Sequence, residues 1–170
     1  MAILKIARMG HPVLLARAAP VEDPTAPDIA RLVSDMAETM LDANGLGLAA
    51  PQVHVSLRLF VFRQGTDDAP TVAALINPEL TPLDDETEAG WEGCLSIPGL
   101  RGAVPRPRRI GFRALDLQGR EVEGEADGLI ARVFQHEADH LDGILYPMRM
   151  PDMSRLGFIE ELSRFGGPDR

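Results

Sequence analysis

The stretch VFQHEADHLDGI, residues 133–144, carries two of the chain's four histidines, His136 and His140, with Glu137 directly after the first. On a helix, residues at i and i+4 share a face, so both imidazoles can hold one divalent ion from the same side. Glu137 lies slightly round that helix, where its carboxylate reaches a water on the ion without being a ligand. A charged helix with two satisfied core histidines would show the same letters, and the pair supplies only two ligands. The single cysteine, Cys94, stands in GWEGCLSIPG, residues 90–99, between Gly93 and a short apolar stretch closed by Pro98. A lone cysteine is commonly a small buried hydrophobe. Here it gains weight, because a thiolate, two imidazoles and one open position describe a catalytic site, whereas a structural site fills all four positions. A thiolate also makes a bound water less acidic than three neutral imidazoles would, which leaves more for Glu137 to do as base. A third stretch, NGLGLAAPQ, residues 44–52, alternates glycine with leucine and ends on the amide of Gln52. Such glycines let backbone pass close to another group. The stretch lacks the Lys-Ser/Thr of a phosphate loop, and a helix end leading into a strand also accounts for it.

Two helices and a set of strands must position these groups. In PDIARLVSDMAETMLDANG, the residues Ile29, Leu32, Val33, Met36, Met40 and Leu41 recur at helical spacing, and Asn44-Gly45 is a stop signal. The second helix starts near Asp127 and runs to about Leu141, where Asp142-Gly143 ends it. Plotted at about 100° per residue, Leu129, Val133, His136 and His140 fall within roughly 60° of one another. Ile130, Phe134, Ala138 and Leu141 fill the adjoining sector. That apolar face is wider than a surface helix needs, which predicts a helix enclosed by sheet, with Leu129 and Val133 lining the wall beside the histidines. Strands are expected at 57–63, in TVAALINPEL with Pro78 ending it, and as a pair over 108–126 joined near Gln118-Gly119. The fold class is α+β, antiparallel sheets packed around a central metal-binding helix with one N-terminal helix.

The remaining features bound the function. A length of 170 residues suits one domain, 1–170, with a short tail from about residue 151. A net charge of −9 argues against direct binding of nucleic acid, which needs clustered Lys and Arg. No apolar run approaches the roughly 20 residues that span a bilayer, so no membrane partner is expected. The N-terminus lacks the pattern of a secretory signal, and one cysteine fits a reducing, cytoplasmic setting. In the basic cluster Arg101, Arg106, Arg108, Arg109 and Arg113, solvated strand ends with local ion pairs are the reading, with Arg101 the exception because it follows the Cys94 stretch closely; His11 and His54 read as surface or ordinary packing residues.

GLGLAAPQ, EGCLS and QHEADH, in this order, resemble the three signature motifs of the peptide deformylases. GHPVL, LINPEL, IPGLRGAVPRPRRI and LDGILYP are also similar to that family, so the resemblance runs from about Ile6 to Pro147. It implies Cys94, His136 and His140 as ligands of one divalent ion, usually Fe2+, with Zn2+, Ni2+ or Co2+ as alternatives. It implies removal of the N-formyl group from formyl-methionine on new polypeptides, releasing formate. Glu137 would accept a proton from the attacking water, while Gln52 and the Leu95 N–H would hold the oxyanion. Backbone around Leu46, Gly47 and Gly93 would pair with an extended N-formylated peptide, and Glu92 and Arg101 would join that surface. Leu129, Val133, Leu46 and Trp91 would line the methionine pocket. Arg132, one turn before His136, departs from the apolar residue expected there and is read as pairing with Asp139. Trp91 is bulky enough to reshape the pocket. A monomer is expected, and the basic C-terminal helix that docks some relatives on the ribosome is not evident. Other readings remain: a relative acting on a different N-acylated amine, a silent metal-stabilised binding module, or a metalloprotease. The last lacks a His or Glu ligand downstream of the helix, and the silent module would need neither Glu137 nor Gln52.

Overall fold

Pro27 at the first helical position and Asn44 in the left-handed region (φ 54°) bound the first helix, α1 (Pro27–Asp42). Its buried side, Ile29, Val33, Met36 and Met40, follows the helical repeat read from the sequence. The computed structural model describes residues 2–66 and 69–166, without the side chains of 65, 66, 69 and 70. After α1 come β1 (Gly47–Ala49), β2 (Leu59–Thr66) and β3 (Ala69–Pro82), then β4 (Thr87–Cys94) and β5 (Ile97–Pro107). The chain continues through β6 (Arg109–Leu115), β7 (Glu121–Asp127), α2 (Gly128–Leu141), β8 (Leu156–Phe158) and α3 (Ile159–Phe165). The strands form two antiparallel sheets, β1-β2-β3-β6-β7 and β4-β5-β8, which makes the fold α+β as expected. No helix among the described residues is long and apolar enough to cross a membrane.

α2 packs against strands of both sheets, β1, β2 and β7 of the larger and β5 of the smaller. Ala131, Val133, Phe134, Glu137, Asp139, His140 and Leu141 are buried, which is why a helix with this many apolar positions is stable here. The Phe134 ring meets Phe62 at 4.6 Å, Phe112 at 5.3 Å and Phe60 at 5.6 Å. Truncating it to alanine would remove that cluster's centre, at about 3–5 kcal/mol. α1 covers a second cluster over β1, β2 and β3, including Leu48, Leu59, Val61 and Ile76. The N-terminal segment and Tyr146 close a third against β5. The helix carrying the two histidines is thus held from several sides, which suits it to fix a site.

Three elements differ from the sequence expectation. Pro78 does not end β3: Asn77 turns into the left-handed region (φ 50°) and the pairing to β6 shifts register there. The side chain of Asn77 bonds the N–H and carbonyl of Val21, so a bulge accommodates the proline without ending the strand. The long β4–β5 hairpin, not expected from sequence, carries Cys94 at its turn. Residues after 151, expected as a tail, add β8 to the edge of β5 and continue as α3.

Candidate metal centre

Cys94 arrives at the site on the last residue of β4, and His136 and His140 arrive on α2. Their Sγ and one nitrogen of each ring lie within 4.8 Å of one another, with Cys94 Sγ 3.3 Å from Nε2 of His140. Metal–sulfur and metal–nitrogen bonds of about 2.3 and 2.1 Å in a tetrahedron put ligand atoms roughly 3.5 Å apart, so these donors fit one divalent ion. The donor set also fits by charge. Burial lowers the pKa of His136, yet its hydrogen bonds to Cys94 and Glu92 and the charge of the Glu137 carboxylate outweigh it and raise it to about 10. The negative groups that favour a positive charge on this ring would also favour one on an ion bound beside it once the ring proton has left. His140 is driven well below its ordinary value by burial and by the positive charge of His136 and Arg106, so it stays neutral and free to ligate.

Glu92 fixes the orientation of His136. Its Oε2 lies 2.8 Å from Nδ1, which leaves Nε2 for the ion. Burial would raise the Glu92 carboxyl, but hydrogen bonds from Arg106 and His136 and their charges hold it down to about 2. Arg106 grips both oxygens of Glu92, at 2.7 and 2.9 Å, and reaches Asp139 Oδ2 at 2.7 Å. Arg149 holds the other oxygen of Asp139 at 2.7 Å. Glu92, Arg106 and Asp139 are buried in a connected set with half-exposed Arg149 at its edge, which is the condition under which buried ion pairs persist.

Glu137 and Gln52 complete the floor. Burial pushes the Glu137 carboxyl up to about 7, against the lowering charge of His136, and its Oε2 has no hydrogen-bond partner among the described residues. Gln52 is 1% exposed; its Oε1 accepts from the Ala49 N–H at 2.8 Å and its Nε2 donates to Ser96 Oγ at 3.1 Å. The same nitrogen lies 3.5 Å from Cys94 Sγ, so its second hydrogen points at the ligand cluster. Gly47 has no side chain for a steric reason: a Cβ there would run into the Glu137 carboxylate. β1 can therefore lie directly over Glu137 only with glycine at this position.

A cavity of about 470 Å³ opens over this floor, lined among others by Gly47, Gln52, Gly93, Leu95, His136 and Glu137. β1 and β4 are each the edge strand of a sheet, and both border the cavity, so an extended peptide has two unpaired edges to join. Leu46, Trp91, Arg101, Leu129, Arg132 and Val133 also line it, which brings the expected site residues to one place.

Four expectations need correction. The carboxylate of Glu92 is not free to meet a peptide: although Glu92 is among the residues that line the cavity, the side chain is buried and its oxygens are taken by His136, Arg106 and Arg132. Arg132 does not pair with Asp139, whose oxygens are taken by Arg106 and Arg149; it bonds Glu92 Oε1 at 2.8 Å. Arg106 is not a solvated strand end but 5% exposed, whereas Arg108 and Arg109 do pair at the surface with Asp127 and Glu125. Leu129 is not a buried wall residue: it is 61% exposed, in the first turn of α2 at the cavity rim. Sequence reasoning also missed Ser96 and Ile159. Ser96 was legible as the hydroxyl two residues after Cys94, but Ile159 reaches the cavity only because β8 returns to β5.

Residues 3–156 match the sequence profile of the family described as polypeptide deformylase. Peptide deformylase 1 of Bordetella pertussis is 51% identical over 163 residues, covering 92% of this chain and 93% of that one. Peptide deformylase 2 of Ralstonia nicotianae is 49% identical over 168 residues, covering 94% of each. Among solved structures, a class I type b peptide deformylase from Acinetobacter baumannii bound to Met-Ala-Ser superposes with a TM-score of 0.81 at 38% identity, covering 87% of this chain and 98% of that one. The peptide deformylase of Thermotoga maritima gives a TM-score of 0.81 at 41% identity, covering 88% and 99%. With this match over nearly its whole length, and a cysteine, two histidines and a buried glutamate meeting beneath one cavity, the chain belongs to the polypeptide deformylase family.

Proposed function

We infer that this protein is a metal-dependent hydrolase that removes the N-formyl group from formyl-methionine at the start of new polypeptides and releases formate. The observation that carries this reading is the meeting of Cys94, His136 and His140 beside the unpartnered carboxylate oxygen of Glu137. When bound by these ligands, a divalent ion supplies Lewis acidity that polarises the formyl oxygen and acidifies a water. Among the candidates Fe2+, Zn2+, Ni2+ and Co2+, we take Fe2+ on the family resemblance, and with it a reducing compartment, because a ferrous site beside a cysteine ligand is damaged by oxygen.

Glu137 Oε2 takes the proton of the attacking water as its oxygen adds to the formyl carbon. A carboxyl already pushed up to about 7 is matched to that task near neutral pH. As charge builds on the formyl oxygen, Gln52 Nε2 and the Leu95 N–H donate to it. The carbon–nitrogen bond then breaks, and the proton on Glu137 passes to the leaving amine. Formate and a free methionine N-terminus result, and Glu137 is ionised again. Leu46, Gly47 and Gly93 pair with the peptide backbone, while Trp91, Leu129, Arg132 and Val133 surround its first side chain and Arg101 stands at the rim.

The discriminating experiment uses protein purified anaerobically with iron, or with nickel, on formyl-Met-Ala-Ser and acetyl-Met-Ala-Ser. Formate from the first and negligible acetate from the second is expected. Absence of turnover in metal-loaded protein would refute the reading, and preference for the acetyl peptide would replace it with a deacylase acting on another N-acylated amine.

A further inference from the structure

One face of α2 presents Leu129, Arg132, Val133 and His136 to the cavity. Three of these are a metal ligand and two aliphatic side chains, whereas the fourth is a guanidinium that is not freely mobile. Nη1 of Arg132 donates to Glu92 Oε1 at 2.8 Å and to the Val104 carbonyl at 2.8 Å, and Nη2 donates to the Glu88 carbonyl at 2.6 Å. The Gly90 carbonyl stands 3.5 Å from Nη1. These acceptors all come from the β4–β5 hairpin, so the head group is clamped across it. Glycine at 90 makes the room, since a Cβ there would come within 2.8 Å of the Arg132 Cζ.

An arginine offers five N–H donors. The bonds above use both hydrogens of Nη1 and one of Nη2. The second Nη2 hydrogen and the Nε–H have no partner among the described residues, and Nε is not sealed from solvent. The side chain keeps 14% exposure, and Arg132 is among the residues that line the cavity. Arg132 also stands one helical turn, about 6 Å along the axis, from His136. That is within reach of a methionine side chain whose formyl group sits over the ligands.

We propose that Arg132 is a specificity-determining residue: its clamped guanidinium forms the polar end of the side-chain pocket and favours a thioether tip over a hydrocarbon tip of equal length. The inference rests on the deformylase reading given above. A side chain that fills the pocket displaces water from the two unpartnered N–H groups. The methionine sulfur is a weak acceptor and polarisable, so it offsets part of that loss, whereas the methylene of norleucine offsets none of it.

The test compares formyl-Met-Ala-Ser with formyl-norleucyl-Ala-Ser as substrates of the nickel-loaded protein. Alongside, Kd is measured by calorimetry for the product peptides Met-Ala-Ser and norleucyl-Ala-Ser, which needs no turnover. The wild type should favour methionine by about fivefold in kcat/KM and in Kd, the size of one modest hydrogen bond. In Arg132→Met, which keeps an unbranched chain of similar reach without the donors, both ratios should fall to about one. A wild-type ratio near one overturns the proposal whether or not the variant folds, and so does a fivefold ratio that survives in the variant. Failure of the deformylase reading would appear differently, as no formate from either peptide, and the Kd pair would still decide the role of Arg132.

Discussion

The Nδ1 of His136 lies 2.8 Å from Oε2 of Glu92, and both oxygens of that carboxylate are also held by Arg106 at 2.7 and 2.9 Å. The ring's tautomer and direction are therefore set from behind, by charges that are themselves locked between β4, β5 and α2. This relationship ties stability of the fold to the readiness of the metal centre, and it separates substitutions that loosen the ion from those that loosen the protein.

Glu92→Gln keeps the shape of the side chain but removes the charge that steadies His136. Metal affinity should fall by about ten- to a hundredfold, the usual effect of losing such a partner. Competition with a chromophoric chelator measures it, and an unchanged dissociation constant would show that Glu92 does not orient the ligand.

Arg106→Ala leaves Glu92 and Asp139 buried with fewer partners. Breaking a buried pair in this way costs about 3–5 kcal/mol, and chemical denaturation should show it. Arg108→Ala, at a surface pair with Asp127, should leave the denaturation midpoint unchanged. Equal losses in the two variants would contradict the distinction between the buried and solvated arginines.

Gly47→Ala places a methyl against the Glu137 carboxylate. Displacing a proton-transfer group by even about 1 Å can cost on the order of a hundredfold in rate, so kcat should fall by about that factor. The melting temperature should also fall, because the methyl displaces either a buried carboxylate or β1, so kcat is measured well below the variant's own midpoint. Wild-type kcat in this variant would mean that Glu137 has freedom the packing does not suggest.

Gln52→Ala removes a donor aimed at the ligand cluster and a bond to Ser96. If Gln52 holds the developing oxyanion, kcat should fall by about a hundredfold or more while KM moves far less. A change in KM alone would assign Gln52 to ground-state binding.

Much of this was legible in the sequence where local rules govern. The repeat Ile29, Val33, Met36, Met40 marked α1, and the width of the apolar face on α2 marked it as enclosed. The ligands were legible because His136 and His140 lie one turn apart and Cys94 was the one thiol in the chain. The β4–β5 hairpin was not. Gly90, Gly93, Gly99 and Gly102, with Pro98, Pro105 and Pro107, interrupt the alternation that marks a strand, and the pairing is long-range. Arg106 and Arg132 were misread for the same reason. Each is held by Glu92, 14 and 40 residues away in sequence, and no local pattern reports such a contact. Pro78 misled because Asn77 supplies a bulge that only its bonds to Val21 explain.

The central claim is that Glu137 moves the proton at a metal centre built from Cys94, His136 and His140. Its most direct test is the rate of formate release from formyl-Met-Ala-Ser by Glu137→Gln, with the metal content of the same sample determined. The account predicts one ion per chain, as in the wild type, and a rate lower by about a hundred- to ten-thousandfold. A fully metal-loaded variant that releases formate at the wild-type rate would contradict it.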